Sequence, residues 1–117
     1  MILVLFEVTI KKQYRDDYLA LAANLKNELV KSEGFIRAER FSSLVKEGKL
    51  LSLSVWENEE SVNKWRNQTE HRMSQRQGYN AMFAGYTITV ASQLRSYSNI
   101  ERSAAPEDSN SFFGHPN

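Results

Sequence analysis

The chain has 117 residues, with 15 lysines and arginines against 14 acids, no cysteine and five scattered glycines. That length fits one domain with a short tail, whose core needs neither disulfide nor metal to hold it. The charge balance excludes a field that would draw nucleic acid or an anionic membrane, and the missing thiols exclude a disulfide framework, a thiolate nucleophile and a cysteine-rich metal site.

The opening run MILVLFEVTIKK carries its charge after the apolar stretch and offers no small-residue cleavage site, so it reads as a first strand rather than a signal peptide. No stretch approaches the roughly 20 apolar residues of a membrane span, and a cytoplasmic protein is expected. In the strand, Ile2, Val4, Phe6, Val8 and Ile10 share one face and Leu3, Leu5, Glu7 and Thr9 the other. Both faces begin apolar, so both are expected to be covered. From about Gln13 to Ser32, Tyr14, Tyr18, Leu21, Ala22, Leu25 and Leu29 recur at helical spacing, and Gly34 is free to take the left-handed conformation that stops the helix.

Phe35 to Leu44 predicts a second strand, with Phe35, Arg37, Glu39 and Phe41 on one face and Ile36, Ala38 and Arg40 on the other. Gly48 supplies positive φ for a turn, and a third strand runs from Lys49 to Trp56. Asn58, Glu59 and Glu60 mark the start of a second helix carrying Val62 and Trp65, which the polar Arg66-Asn67-Gln68 is expected to interrupt. A further helical piece would hold His71 and Met73 and reach toward Tyr79. The last strand is predicted over Tyr86 to Tyr97.

The element order β-α-β-β-α-β is that of an α+β, ferredoxin-like fold: a four-stranded antiparallel sheet with both helices on one face. An apolar second face then calls for a second copy of the chain, and a homodimer is expected. Residues 1–98 form the expected domain. Residues 99–117 are polar, hold both prolines and read as a disordered or partner-draped tail.

Glu33-Gly34-Phe35, the run Ser54-Val55-Trp56-Glu57-Asn58-Glu59-Glu60-Ser61, Trp65, His71 within Thr69-Glu70-His71-Arg72, and Tyr86-Thr87-Ile88-Thr89-Val90 together resemble the antibiotic biosynthesis monooxygenase family of dimeric α+β barrels. The resemblance runs from about Ile2 to Tyr97. It implies a homodimer and a pocket between sheet and helices. One branch of that family oxidises phenols or quinols with dioxygen and no cofactor, using an asparagine where this chain has Ser52 and a tyrosine where it has Val62. A second degrades haem, with a ligating histidine where this chain has Gln75 and an asparagine for which Glu7 is the nearest candidate. A third carries tryptophan and histidine as here, without a settled chemistry, and is the most similar.

These features make His71 the candidate proton acceptor, since its intrinsic pKa lies near neutrality, with Glu7 as a second acid or base if it is buried. The plainer readings are a helix-surface histidine and a solvated carboxylate paired with Arg37 or Arg40. Trp65, Trp56, Tyr79 and Phe83 are candidate pocket walls, or core. Arg40 is the candidate grip on an oxyanion, or half of a salt bridge. The expected function is a cofactor-independent monooxygenase acting on a small aromatic, phenolic or quinol compound. The alternatives are a non-catalytic ligand-binding dimer and a haem-binding oxygenase. No metal is expected, because two histidines, one of them in the tail, form no ligand cluster.

Overall fold

A computed structural model describes residues 1–74 and 79–112, the side chains of residues 74, 79 and 80 excepted. Four strands, β1 (Ile2–Ile10), β2 (Phe35–Ser42), β3 (Lys49–Trp56) and β4 (Phe83–Ser92), form one sheet in the order β2-β3-β1-β4. Every neighbouring pair is antiparallel, so the α+β ferredoxin-like arrangement read from the element order is the one observed. A 3₁₀ turn at Lys12–Tyr14 leads into α1 (Arg15–Leu29), and α2 (Glu59–Ser74) follows β3.

The register assigns every strand residue a side. Ile2, Val4, Phe6, Val8 and Ile10 share their face with Trp56, Ser54, Ser52 and Leu50 of β3 and with Ser92, Val90, Ile88 and Tyr86 of β4. This is the face on which the helices sit: Val8 and Ile10 pack into a buried cluster with Tyr18 of α1 and Met82, and Trp56 meets Trp65 of α2. The opposite face carries Leu3, Leu5, Leu51 and Leu53, which are half-buried, with Phe41 exposed at its margin.

Two glycines take the positive φ their turns require, Gly34 at 79° and Gly48 at 80°. At Gly34 a side chain is also excluded by space, because an added Cβ would fall on Ser61 Oγ and lie 2.7 Å from Ser61 Cβ. The Gly34 carbonyl accepts from Glu57 N at 2.8 Å, so this close approach ties the start of β2 to the end of β3. Asn58 Oδ1 then caps α2 by accepting from Ser61 N at 2.8 Å, with Glu59 and Glu60 in the first turn, as the sequence predicts.

Four expectations change. The helix α2 runs unbroken through Arg66-Asn67-Gln68, because these residues lie on its solvent side, where no apolar periodicity is needed; Arg66 bonds Glu70 one turn on, at 3.1 Å. The last strand starts at Phe83 and stops at Ser92. A register shift between Thr9 and Ile10 brings Phe83 opposite Ile10, and at the other end the pairing closes with Gln93 N donating to the Met1 carbonyl. Strand β2 ends at Ser42 rather than Leu44, where Ser43 Oγ accepts from the amides of Val45 and Lys46 to begin the turn. Near its start β2 bulges: Phe35 lies opposite Trp56 and Arg37 opposite Val55, so Phe35 faces the helices and Arg37, Glu39 and Phe41 face away.

Beyond Ser98, the segment read as tail carries a short helix, α3 (Glu107–Phe112). Arg102 organises it. The guanidinium donates to Ser98 O, Ser109 Oγ and Asn110 Oδ1 at 2.8–3.1 Å and lies 5.3 Å from the centre of the Tyr97 ring.

Candidate functional site

The helix-side face of the sheet is closed by aromatics at both ends. At one end Trp56 is 0% exposed, its indole N–H donates to Ser54 Oγ at 2.9 Å, and Phe35 and Trp65 stand 5.5 and 6.3 Å from it, centre to centre. Every polar and apolar requirement of Trp56 is met by its own chain. Val62 is buried as well.

Toward the other end the aromatics form a connected series: Tyr18 meets Phe83 at 5.9 Å, Phe83 meets Tyr86 at 6.0 Å, and Tyr86 meets Phe6 at 5.7 Å. Phe6 belongs to a row of the sheet that reads Arg40, Ser52, Phe6, Ile88 from one edge strand to the other, about 14 Å at the usual strand spacing. Arg40 donates a hydrogen bond to the Tyr18 hydroxyl. Burial pushes the Tyr18 phenol above its ordinary 10.0, and the Arg40 charge and hydrogen bond, which pull the other way, do not offset it. Tyr18 therefore keeps its proton and has an O–H to donate while its oxygen accepts from Arg40.

The flank of this row is open. Tyr86, Ile88 and Val90 are 58%, 54% and 51% exposed although they lie on the helix side of the sheet. The arrangement offers an apolar and aromatic surface with a guanidinium and a phenol at its far end. It suits a flat or slender organic molecule carrying one anionic oxygen.

Of the side chains singled out in the sequence, Arg40 and Phe83 meet in this series through Tyr18. Trp65 is half-buried on α2 and belongs with Trp56. His71 is exposed, and its position six residues beyond Trp65 puts it about 120° around the helix from that side chain, away from the sheet. Glu7 lies on the opposite face of the sheet, half-exposed and paired with Lys49 at 3.3 Å, beside a shallow hollow of about 280 Å³ that includes Phe41 and Leu51. Thus His71, Glu7 and the tryptophans do not converge. The Tyr79 side chain lies outside the described residues. Tyr18 and Tyr86 are the contributors the sequence reading passed over. The available signal was a tyrosine set among leucines and alanines on an otherwise aliphatic helical stripe.

Among the described residues no group of three His, Cys, Asp or Glu side chains is placed to hold a metal ion. Among the described residues the candidate haem ligand, His71, is exposed on α2. No described helix is long and apolar enough to cross a membrane.

Comparison with known proteins bears on this geometry. The family model described as antibiotic biosynthesis monooxygenase matches residues 1–77. A jasmonate monooxygenase ABM of Pyricularia oryzae is 37% identical over 90 residues, which span 77% of this chain and 42% of that protein; the chain thus covers less than half of that curated relative. Among solved structures, a variant of SnoaB, a cofactor-independent oxygenase from Streptomyces nogalater, aligns with TM-score 0.67 and 11% identity over 81% of this chain and 94% of its own. A variant of MhuD with two manganese protoporphyrin IX molecules per active site aligns with TM-score 0.68 and 12% identity, over 85% of this chain and all of that one. Rv0793 from Mycobacterium tuberculosis aligns with TM-score 0.70 and 15% identity over 83% of this chain and 98% of its own. At these identities the structural matches speak to the fold.

Proposed function

Because the chain belongs to the antibiotic biosynthesis monooxygenase family, we propose that it is a dimeric, cofactor-independent monooxygenase for a small, largely apolar compound bearing a phenolic or quinol oxygen. The observation that carries this reading is the Tyr18–Arg40 pair at the end of the Phe83–Tyr86–Phe6 series. The ring system of the substrate lies along Phe6, Tyr86 and Ile88, and its oxygen accepts from Tyr18 O–H and Arg40. The guanidinium favours the ionised substrate, so the compound gives up its proton at lower pH than in water.

The anion supplies the electrons. Its carbon adds to dioxygen, the proton returns to the resulting peroxide, and loss of water leaves a carbonyl: a methylene and one O₂ become C=O and H₂O. Glu7 and His71 lie off this row, so the proton leaves to solvent at the open β4 flank. A carboxylic acid with an apolar skeleton, of the kind named for the Pyricularia relative, suits the same row with its carboxylate on Arg40.

Oxygen uptake with a panel of quinols, anthrone-type phenols and jasmonate tests the proposal, with product mass in ¹⁸O₂ as the second readout. Uptake with incorporation of one labelled oxygen is expected for at least one member. Ser52 and Val62, where the cofactor-free branch carries asparagine and tyrosine, favour a second reading, a ligand-binding dimer without turnover. Saturable binding across the panel with no uptake would establish that reading instead.

A further inference from the structure

The segment that follows β4, residues 93–112, is built inside out. Its interior is polar: Asn110 is buried, and its Oδ1 accepts from the Arg102 guanidinium together with Ser109 Oγ and Ser98 O. Ser98 Oγ accepts from the amides of Ile100 and Glu101, and Ser98 N donates to the Glu101 carbonyl, so the chain turns here on bonds of its own. Its apolar side chains stay outside, with Leu94 and Ile100 each 88% exposed. An ordered segment that satisfies its polar groups and leaves its apolar ones in water is shaped for a surface it does not itself supply.

That surface is not its own β4. With the segment in place, Tyr86, Ile88 and Val90 remain more than half exposed. The molecule is 56 Å long with a radius of gyration of 17.4 Å, against about 13 Å for a compact chain of this length. The segment is an arm rather than a cover. The two edges of the sheet differ as well: β2 carries Arg37, Glu39 and Arg40 in its eight residues, charges of the kind that keep an edge from pairing, whereas β4 has neither a charge nor a proline in ten. Tyr86, Ile88, Val90, Leu94, Tyr97 and Ile100, exposing roughly 100 Å² each, together approach the ~800 Å² that one partner gives to a stable interface. A two-fold pair presents both arm and flank from each copy, so the two surfaces match in number and in apolar character.

We propose that the arm of one copy packs, through Leu94 and Ile100, on the Ile88–Val90 flank of a second copy, and gives the Arg40 row the outer wall that a single chain leaves out. The inference rests on the dimer proposed above and adds that each row is completed by the other copy. The gap toward Tyr86 stays the way in for substrate and the way out for its proton.

Because the chain has no cysteine, the contact can be read by placing one on each side of it. Ile100→Cys in one tagged chain and Val90→Cys in a differently tagged one, coexpressed at full length and treated with a short bismaleimide, are expected to give a crosslinked product that carries both tags. Both side chains are exposed, so neither change disturbs the fold. Leu94→Asp with Ile100→Asp is expected to raise the dimer dissociation constant tenfold or more in sedimentation equilibrium, since each carboxylate would be buried without a partner. Absence of the two-tag product, or an unchanged dissociation constant, overturns the arm. A dimer of the unaltered chain that yields no such product removes the arm and leaves the dimer; the product without oxygen uptake supports the arm and removes only the turnover.

Discussion

The two ends of the helix-covered sheet face are built from similar residues and do different things. At one end the Trp56 ring is sealed and its indole donor is satisfied within the chain. Around Tyr18 the aromatics are as dense, yet a guanidinium shares the phenol oxygen and the flank toward β4 stays open. Aromatic content does not separate architecture from site. What separates them is bonding capacity left over once the chain has folded.

The largest effect that sharpens this contrast is Trp56→Ala, expected to cost about 3–5 kcal/mol of folding stability by urea denaturation through the loss of a buried ring and the cavity left behind. A cost below about 1 kcal/mol would mean that this end is not the closed core described. Next, Arg40→Met is expected to lower kcat/KM about 100-fold with little change in the urea midpoint, since Arg40 is exposed on an edge strand. Equal losses of stability and activity would make Arg40 architectural too.

Tyr18→Phe, which keeps the ring and removes the O–H, is expected to lower kcat/KM about tenfold. Ultraviolet titration should find one tyrosine ionising above the ordinary 10.0 and absent from that variant. The sign for stability follows from linkage: the folded state holds this proton to higher pH than the unfolded one, so the contribution is intact below pH 10 and is lost as pH rises through the folded pKa. A midpoint with the same alkaline dependence in both proteins would break the assignment. The smallest effect is expected of His71→Ala, within about 0.5 kcal/mol in stability and unchanged in turnover, because the side chain lies on the outer side of α2. A large loss of activity there would return the chemistry to the candidate that the sequence favoured.

Period-two alternation was enough to place β1 and β3 and to sort their faces, and Gly34, Gly48 and Asn58 marked their turns and cap for reasons the backbone bears out. Strand β4 slipped because its limits depend on partners distant in sequence, the register shift at Ile10 and the pairing with β1 as far as Ile2. The site was half legible. Arg40 and Phe83 could be flagged by residue type, but their connection runs through Tyr18 on a separate helix. No local pattern announces a hydrogen bond made by sheet register and helix docking. His71 was flagged because its chemistry is attractive at any position, while helical phase decides which way it points, and α2 carries it on an exposed side.

The extra residue in β2 near Phe35 has a further meaning. Under strict alternation from Phe35, the helix-facing positions of β2 would be Arg37, Glu39 and Phe41, and a carboxylate would stand near Tyr18. The bulge exchanges those positions for Ala38 and Arg40. The sign of the charge that greets a ligand is thus set by a single backbone irregularity. An insertion or deletion of one residue there would put Glu39 in place of Arg40 on the helix side without a substitution in the rest of the strand.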